Sequence, residues 1–214
     1  MTPAAQLWPA AGWPVLAFLL GSIPFGYLLC RFAAGTDVRR TGSGNIGATN
    51  VLRTAGKKLG LLTLLLDAGK GWLGLWLALR FAGGWSRPGL LATVLLAAVG
   101  GHLFSPWMRF RGGKGVATGL GAFLALAPGP LAGTAVVFAL VLARWRYVSL
   151  ASICACAALP LLLLLPLGQP RPPAVMEAAV LATAALIILR HRANLQRLRQ
   201  GTEAKLGAKA AVHA

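Results

Sequence analysis

The chain has 214 residues, 21 Lys and Arg against 4 Asp and Glu, a net charge of +17 and 57% hydrophobic residues. A basic nucleic-acid binder or a disordered basic tail is polar overall, so a strongly basic chain with mean hydropathy +0.70 must keep its charges apart from its apolar segments, as an integral membrane protein does. A glycosidase-type acid pair, a two-metal phosphoryl site or a multi-Asp cage would take most or all of the carboxylates, and nucleic acid is excluded as a partner.

Apolar runs fall at 13–33, 59–80, 89–108, 115–127, 131–143, 147–166 and 174–190. Most reach the roughly 20 residues that cross a bilayer. No Lys or Arg precedes Arg31, so the first run reads as a retained span and not as a signal peptide. Pro128-Gly129-Pro130 predicts a tight turn between two short helices. The expected fold is an all-α integral membrane protein, a single polytopic domain over 1–214. It has seven transmembrane helices, the N-terminus outside and the C-terminus cytoplasmic. Charge supports this count. The inner loops are then 31–58, 109–114, 144–146 and 190–214, and they carry 17 of the 21 cations, Lys209 among them. Arg80, Arg87 and Arg171 fall outside, and Lys70 within a span. Six helices would place the 144–146 loop and the tail outside, against the positive-inside rule.

The first inner loop reads Gly42-Ser43-Gly44-Asn45-Ile46-Gly47-Ala48-Thr49-Asn50, then Arg53. Its glycines match G-x-G-x-x-G, but no strand precedes them, so a dinucleotide site is a poor reading. Glycines that free backbone N–H groups, beside Ser43, Thr49 and Asn50, suit an anion. The second inner loop reads Arg109-Phe110-Arg111-Gly112-Gly113-Lys114-Gly115. It lacks P-loop spacing, yet it sets a cation and N–H groups at a helix start, which suits phosphate. A flexible polar turn and a positive-inside anchor are the bland alternatives. His102 closes the third span as a candidate general base or phosphate contact. Ser149 and Ser152 share a helix face, as do His191 and Asn194. Asp67 and Lys70, three apart in a span, are expected to pair with each other or point inward.

These stretches resemble a known family. Residues 42–53, 101–106, 110–118 and 146–152, with Gly21-Ser-Ile-Pro-Phe-Gly26, Leu65-Leu-Asp-Ala-Gly-Lys-Gly71 and His191-Arg-x-Asn194, are similar to the bacterial acyl-phosphate:glycerol-3-phosphate acyltransferases, the PlsY family. The resemblance spans 21 to about 203, and the two ends look like tails that decide little. It implies a seven-helix enzyme of the bacterial cytoplasmic (inner) membrane, with its active site on the cytoplasmic face. Such an enzyme moves an acyl group from acyl phosphate to the 1-hydroxyl of glycerol 3-phosphate, the first step of phospholipid synthesis, without a cofactor or a metal. It implies His102, Lys114 and His191 as catalytic. It implies Ser43, Gly44, Asn45, Thr49, Arg53, Gly113, Ser152 and Asn194 as substrate-binding. Acyl phosphate, glycerol 3-phosphate and membrane lipids are the implied partners, and the soluble enzyme that supplies acyl phosphate is a candidate.

The residues agree with that chemistry. Two phosphate-bearing substrates call for cations and donors, so a site without acidic residues is expected. Acyl phosphate is a mixed anhydride with a good leaving group, so no covalent nucleophile is required. Cys30, Cys154 and Cys156 lie in apolar runs away from the loops and read as small buried hydrophobes. A transporter of anions or phosphate esters is the rival class, but matched midplane helix breaks are missing. A metal-dependent phospholipid alcohol transferase needs clustered Asp, and only Asp67 sits on a span.

Overall fold

The computed structural model describes residues 3–165, 167 and 171–207, so Lys209 lies outside the described residues. The described residues form helices and loops. Helix α1 runs Pro3–Ser22 and α2 Phe25–Ala33, with α3 Ala48–Ala55 and α4 Lys57–Phe81 following. Then come α5 Pro88–Leu103, α6 Val116–Leu126, α7 Pro128–Trp145, α8 Val148–Leu162, α9 Ala174–Leu189 and α10 Arg192–Arg199.

Four segments are long and apolar enough to cross a membrane: Ala11–Ala33, Lys57–Phe81, Pro88–Met108 and Pro128–Trp145. The pair α9 and α10, bent by 52°, makes a fifth if it is one span. Helices α6 and α8, at 11 and 15 residues, are apolar but short. The first expected span is interrupted at Ile23-Pro24, because proline cannot donate to the helix ladder. Pro128-Gly129-Pro130 is not the turn between helices. It forms the first turn of α7, where proline's missing N–H costs nothing, and the chain turns at Ala127 instead.

Long exposed side chains such as Leu61, Leu65, Val136, Leu140, Leu161 and Leu181 cover the outside of the bundle. Only Pro130 and Thr134 of α7 are buried. Apolar surface on this scale fits hydrocarbon as its solvent. Inside, Leu75, Leu95, Val99, Leu103, Phe123 and Ile187 belong to one apolar cluster. Small residues bring the backbones together. A Cβ on Gly21 would strike the Ala98 carbonyl of α5, and one on Gly121 would strike the Ala68 carbonyl of α4. These contacts fix α1 against α5 and α4 against α6, and so fix the loops that follow α2 and α5.

Candidate functional site

A cavity of about 850 Å³ lies between α3, α4, α6, α7, α8 and α9. At one end it is lined by Ser43, Asn45, Thr49, Arg53, His102, Lys114, Ser152, His191 and Asn194. These nine expected site residues come from five separate stretches of sequence, and the fold brings them together. Further in, Leu120, Phe123, Leu131, Phe138, Leu159 and Ile187 make the wall apolar. An anionic head and an apolar tail would both find their match.

Gly44 and Gly113 do not line the cavity. The Gly44 N–H donates to the Thr41 carbonyl at 3.0 Å. The Ser43 N–H donates to Asn50 Oδ1 at 2.9 Å and the Gly47 N–H to Asn45 Oδ1 at 2.8 Å. These three N–H groups are therefore already used. Asn50 also lies in the cavity wall, yet it is a staple and not an anion donor. Its Nδ2 is shared among the carbonyls of Val38, Thr41 and Asn45 at 3.1, 3.1 and 2.9 Å. What this loop offers is side chains, with Arg53 anchored by its own bond from Nη2 to the Ala204 carbonyl at 2.9 Å.

The second loop is corrected in the same sense. The Gly112 and Gly113 N–H groups donate to the Leu103 and His102 carbonyls at 3.1 and 3.0 Å, closing the loop on the end of α5. Arg190 clamps it from α9, donating to the Gly112 carbonyl at 2.8 Å and the Gly113 carbonyl at 3.2 Å. A Cβ on Gly113 would run into His102 Nε2, so glycine there lets the loop lie flat on the ring. Lys114 is left to reach the cavity. Burial, and after it Arg197 and Arg53, outweigh the pull of Glu203 and bring its ammonium down to about 8.

The Asp67–Lys70 pair forms as expected. Lys70 Nζ lies 2.7 Å from Asp67 Oδ1 and donates to the Ile23 carbonyl at 2.6 Å, capping the break between α1 and α2. Asp67 also faces His102 Nδ1 at 3.7 Å and reaches the cavity wall. His191 is 1% exposed. Its Nδ1 meets the Ile187 carbonyl at 2.8 Å. A carbonyl only accepts, so the ring proton sits on Nδ1 and Nε2 keeps a free lone pair. Burial first, then Lys114, brings His191 down to about 4, and the ring is neutral at pH 7.

The expectation of a site without acidic residues is overturned. Glu203 lines the cavity, and its carboxylate accepts from Ser149 Oγ, Asn194 Nδ2 and Arg197 Nε, each at 2.7 Å. Burial alone would raise this carboxyl, and the three donors more than reverse that, so its pKa lies below the usual glutamate value. Nor is the C-terminal stretch an idle tail. The Leu206 N–H donates to the Arg146 carbonyl at 2.6 Å, and Lys205 sits 5.8 Å from the centre of the Tyr147 ring. Sequence reasoning missed Glu203, Asp67 and Arg190 in this role. A lone Glu in a basic tail carries no local signal, whereas Asp67 was flagged by its cost in a span. Cys156 also lines the apolar wall, away from the loops as expected but not away from the cavity.

Multiple membrane-length helices around a half-cationic, half-apolar cavity define a multi-pass membrane protein that takes an amphipathic anion. A family model described as glycerol-3-phosphate acyltransferase matches residues 11–201, and the chain belongs to that family. A glycerol-3-phosphate acyltransferase of Trichlorobacter lovleyi is 50% identical over 196 residues, 92% of this chain and 97% of the relative. Two solved structures of PlsY (YgiH), an integral membrane glycerol 3-phosphate acyltransferase, share the fold. Its glycerol 3-phosphate form aligns with a TM-score of 0.87 at 39% identity, over 93% of this chain and 96% of that one. Its lysophosphatidic acid form aligns with a TM-score of 0.83 at 37% identity, over the same shares.

Proposed function

We propose that the chain transfers a fatty acyl group from acyl phosphate to the 1-hydroxyl of glycerol 3-phosphate, giving lysophosphatidic acid and phosphate. One observation carries the reading: a single cavity joins a cationic, donor-rich end to an apolar wall. The acceptor and the product are those named for the two related structures. Acyl phosphate as donor rests on the motif resemblance and on its chemistry, since it brings its own leaving group.

The glycerol hydroxyl oxygen attacks the acyl carbonyl carbon, and the bond from that carbon to the phosphate oxygen breaks. Arg53 and Lys114 neutralise the phosphates and the charge that develops. His191 Nε2 accepts the hydroxyl hydrogen bond and aims the oxygen. A ring titrating at about 4 is a weak base. The hydroxyl proton therefore passes to the phosphate group, which leaves as hydrogen phosphate. His102, held between Asp67 and the glycine loop, shapes the wall behind Lys114. No step draws on a cofactor or a metal.

The same reading places seven crossings in the cell's inner membrane, the N-terminus outside and the active site facing the cytoplasm, within a single polytopic domain. Its support is that all four cation-rich stretches meet at one end of the bundle. Arg53 reaches Ala204, Arg146 pairs with Leu206 and Arg190 holds Gly112. A soluble enzyme delivering acyl phosphate would approach that end.

Protein purified in detergent and given acyl phosphate and glycerol 3-phosphate should release phosphate and lysophosphatidic acid, with a chelator present and without a sealed vesicle. Phosphate movement only across intact vesicles would make the protein a transporter and end this reading.

A further inference from the structure

Glu203 is the carboxylate that sequence reasoning left out, and it lies beyond residue 201, where the family match ends. Its surroundings go further than a structural ion pair. Oε1 accepts from both Ser149 Oγ and Asn194 Nδ2, and Oε2 accepts from Arg197 Nε at 2.7 Å. A carboxylate bound by a guanidinium is ionised and only accepts. The Asn194 atom that touches it must therefore be the amide nitrogen. That fixes the flip of the Asn194 amide, and its oxygen is the atom left for another partner. No protein donor among the described residues reaches that oxygen, and Asn194 lines the cavity.

An amide oxygen repels phosphate oxygens and accepts from hydroxyls. The rest of the cavity head, Arg53, Lys114, Ser43 and Thr49, consists of cations and donors that suit phosphate. We infer that Glu203 is a positioning residue that turns the Asn194 oxygen into the cavity, where it accepts a hydrogen bond from a hydroxyl of glycerol 3-phosphate. This rests on the proposed acceptor, not on the proposed donor. It assigns a recognition point for the polyol beside the phosphate sites, and it explains why a carboxylate sits among cations without touching the substrate. The segment 202–207 acts as the strap that holds it. The Thr202 N–H donates to the Arg197 carbonyl at 2.9 Å before it, and after it Ala204 accepts from Arg53 and Leu206 pairs with Arg146, so Glu203 is tied on both sides.

Two substitutions separate positioning from packing. Glu203→Ala frees the Asn194 amide to rotate. Glu203→Gln keeps the packing but turns its amide, so that its oxygen accepts from Arg197 and its NH2 donates to Ser149 Oγ and to a turned Asn194 oxygen, which takes that oxygen out of the cavity. The charged groups facing this point are Arg53, Lys114 and Arg197, with the neutral His191 ring beside them, and Glu203 is the anion that partly offsets the effect of burial on Lys114.

The test is glycerol 3-phosphate binding to the purified full chain by calorimetry, with KM for each substrate measured in parallel. Glu203→Ala should weaken glycerol 3-phosphate about 10- to 100-fold and leave the acyl phosphate KM within a few-fold, and Glu203→Gln should show a comparable loss although it keeps the packing. In an Asn194→Ala background, Glu203→Ala should add less than about three-fold, since the two act through one contact. Full additivity in the double variant, or a Glu203→Gln variant within a few-fold of wild type, overturns the inference. Thermal melting in detergent shows whether Glu203→Ala still folds, and the Gln variant decides the matter if it does not. Binding of glycerol 3-phosphate without turnover overturns only the acyl phosphate assignment. No binding by the wild type overturns both.

Discussion

The two glycine-rich loops look alike in sequence and are held by opposite means. The loop at 42–50 is fastened from within, chiefly by Asn50, which is 2% exposed and bonds the backbone at Val38, Thr41, Ser43 and Asn45. The loop at 112–115 is fastened from outside, by the last carbonyls of α5 and by the Arg190 fork. Both sequences suggest a nest of free backbone N–H groups. In both, the glycine N–H groups at 44, 47, 112 and 113 serve the fold, and side chains face the cavity beside the helix starts. A free N–H nest would bind any small anion, whereas side chains on braced loops can be placed for two different phosphates.

The largest expected effect comes from the one cation of the second loop. Lys114→Ala should lower turnover about 30- to 1000-fold, as removal of a charge-assisted contact to a desolvated phosphate does, while the protein stays folded. Turnover within a few-fold of wild type would show that the second loop is only an anchor. Next comes the staple of the first loop. Asn50→Ala leaves three carbonyls and the Ser43 N–H without their partner and should cost about 2–4 kcal/mol of stability, read by thermal melting in detergent. Its activity loss should appear in KM, because Ser43, Thr49 and Arg53 lose their frame. An unchanged melting temperature would show that water replaces the staple. Gly113→Ala is smaller again. Its Cβ meets the His102 ring, and overpacking of that kind costs about 1–3 kcal/mol. The loss should fall on kcat, because Lys114 is carried out of line.

Much of this was legible in the sequence because membranes simplify the physics. Apolar runs, positive loops and the costly Asp67–Lys70 pair each point one way, and the pair forms as the spacing requires. Nine of the eleven residues expected at the site line one cavity. What stayed hidden depended on distance. Asn50 reads as one more polar loop residue until its oxygen and nitrogen are seen bonding backbone up to twelve positions away. Glu203 lies 54 positions from Ser149, and no local pattern links them. The helical start at Pro128 does not follow from the sequence, because proline marks both a stop and a first turn, and only packing chooses.

The smallest effect is the one that tests the second loop in place. Burial brings Lys114 to about 8 in the substrate-free protein, so it is a cation below that pH and loses its charge above it. A phosphate ester binds the charged form, and binding then takes up a proton. The KM of the ester that Lys114 holds should thus be flat from about pH 6 to 8 and rise by at most about tenfold per unit above it. The other ester should show no such break. Lys114→Arg stays charged throughout and should lose the break, though its larger fork will raise KM at every pH. A flat wild-type profile to pH 10 for both substrates would mean that Lys114 is not the phosphate contact. The difference between the loops would then lie only in how they are fastened.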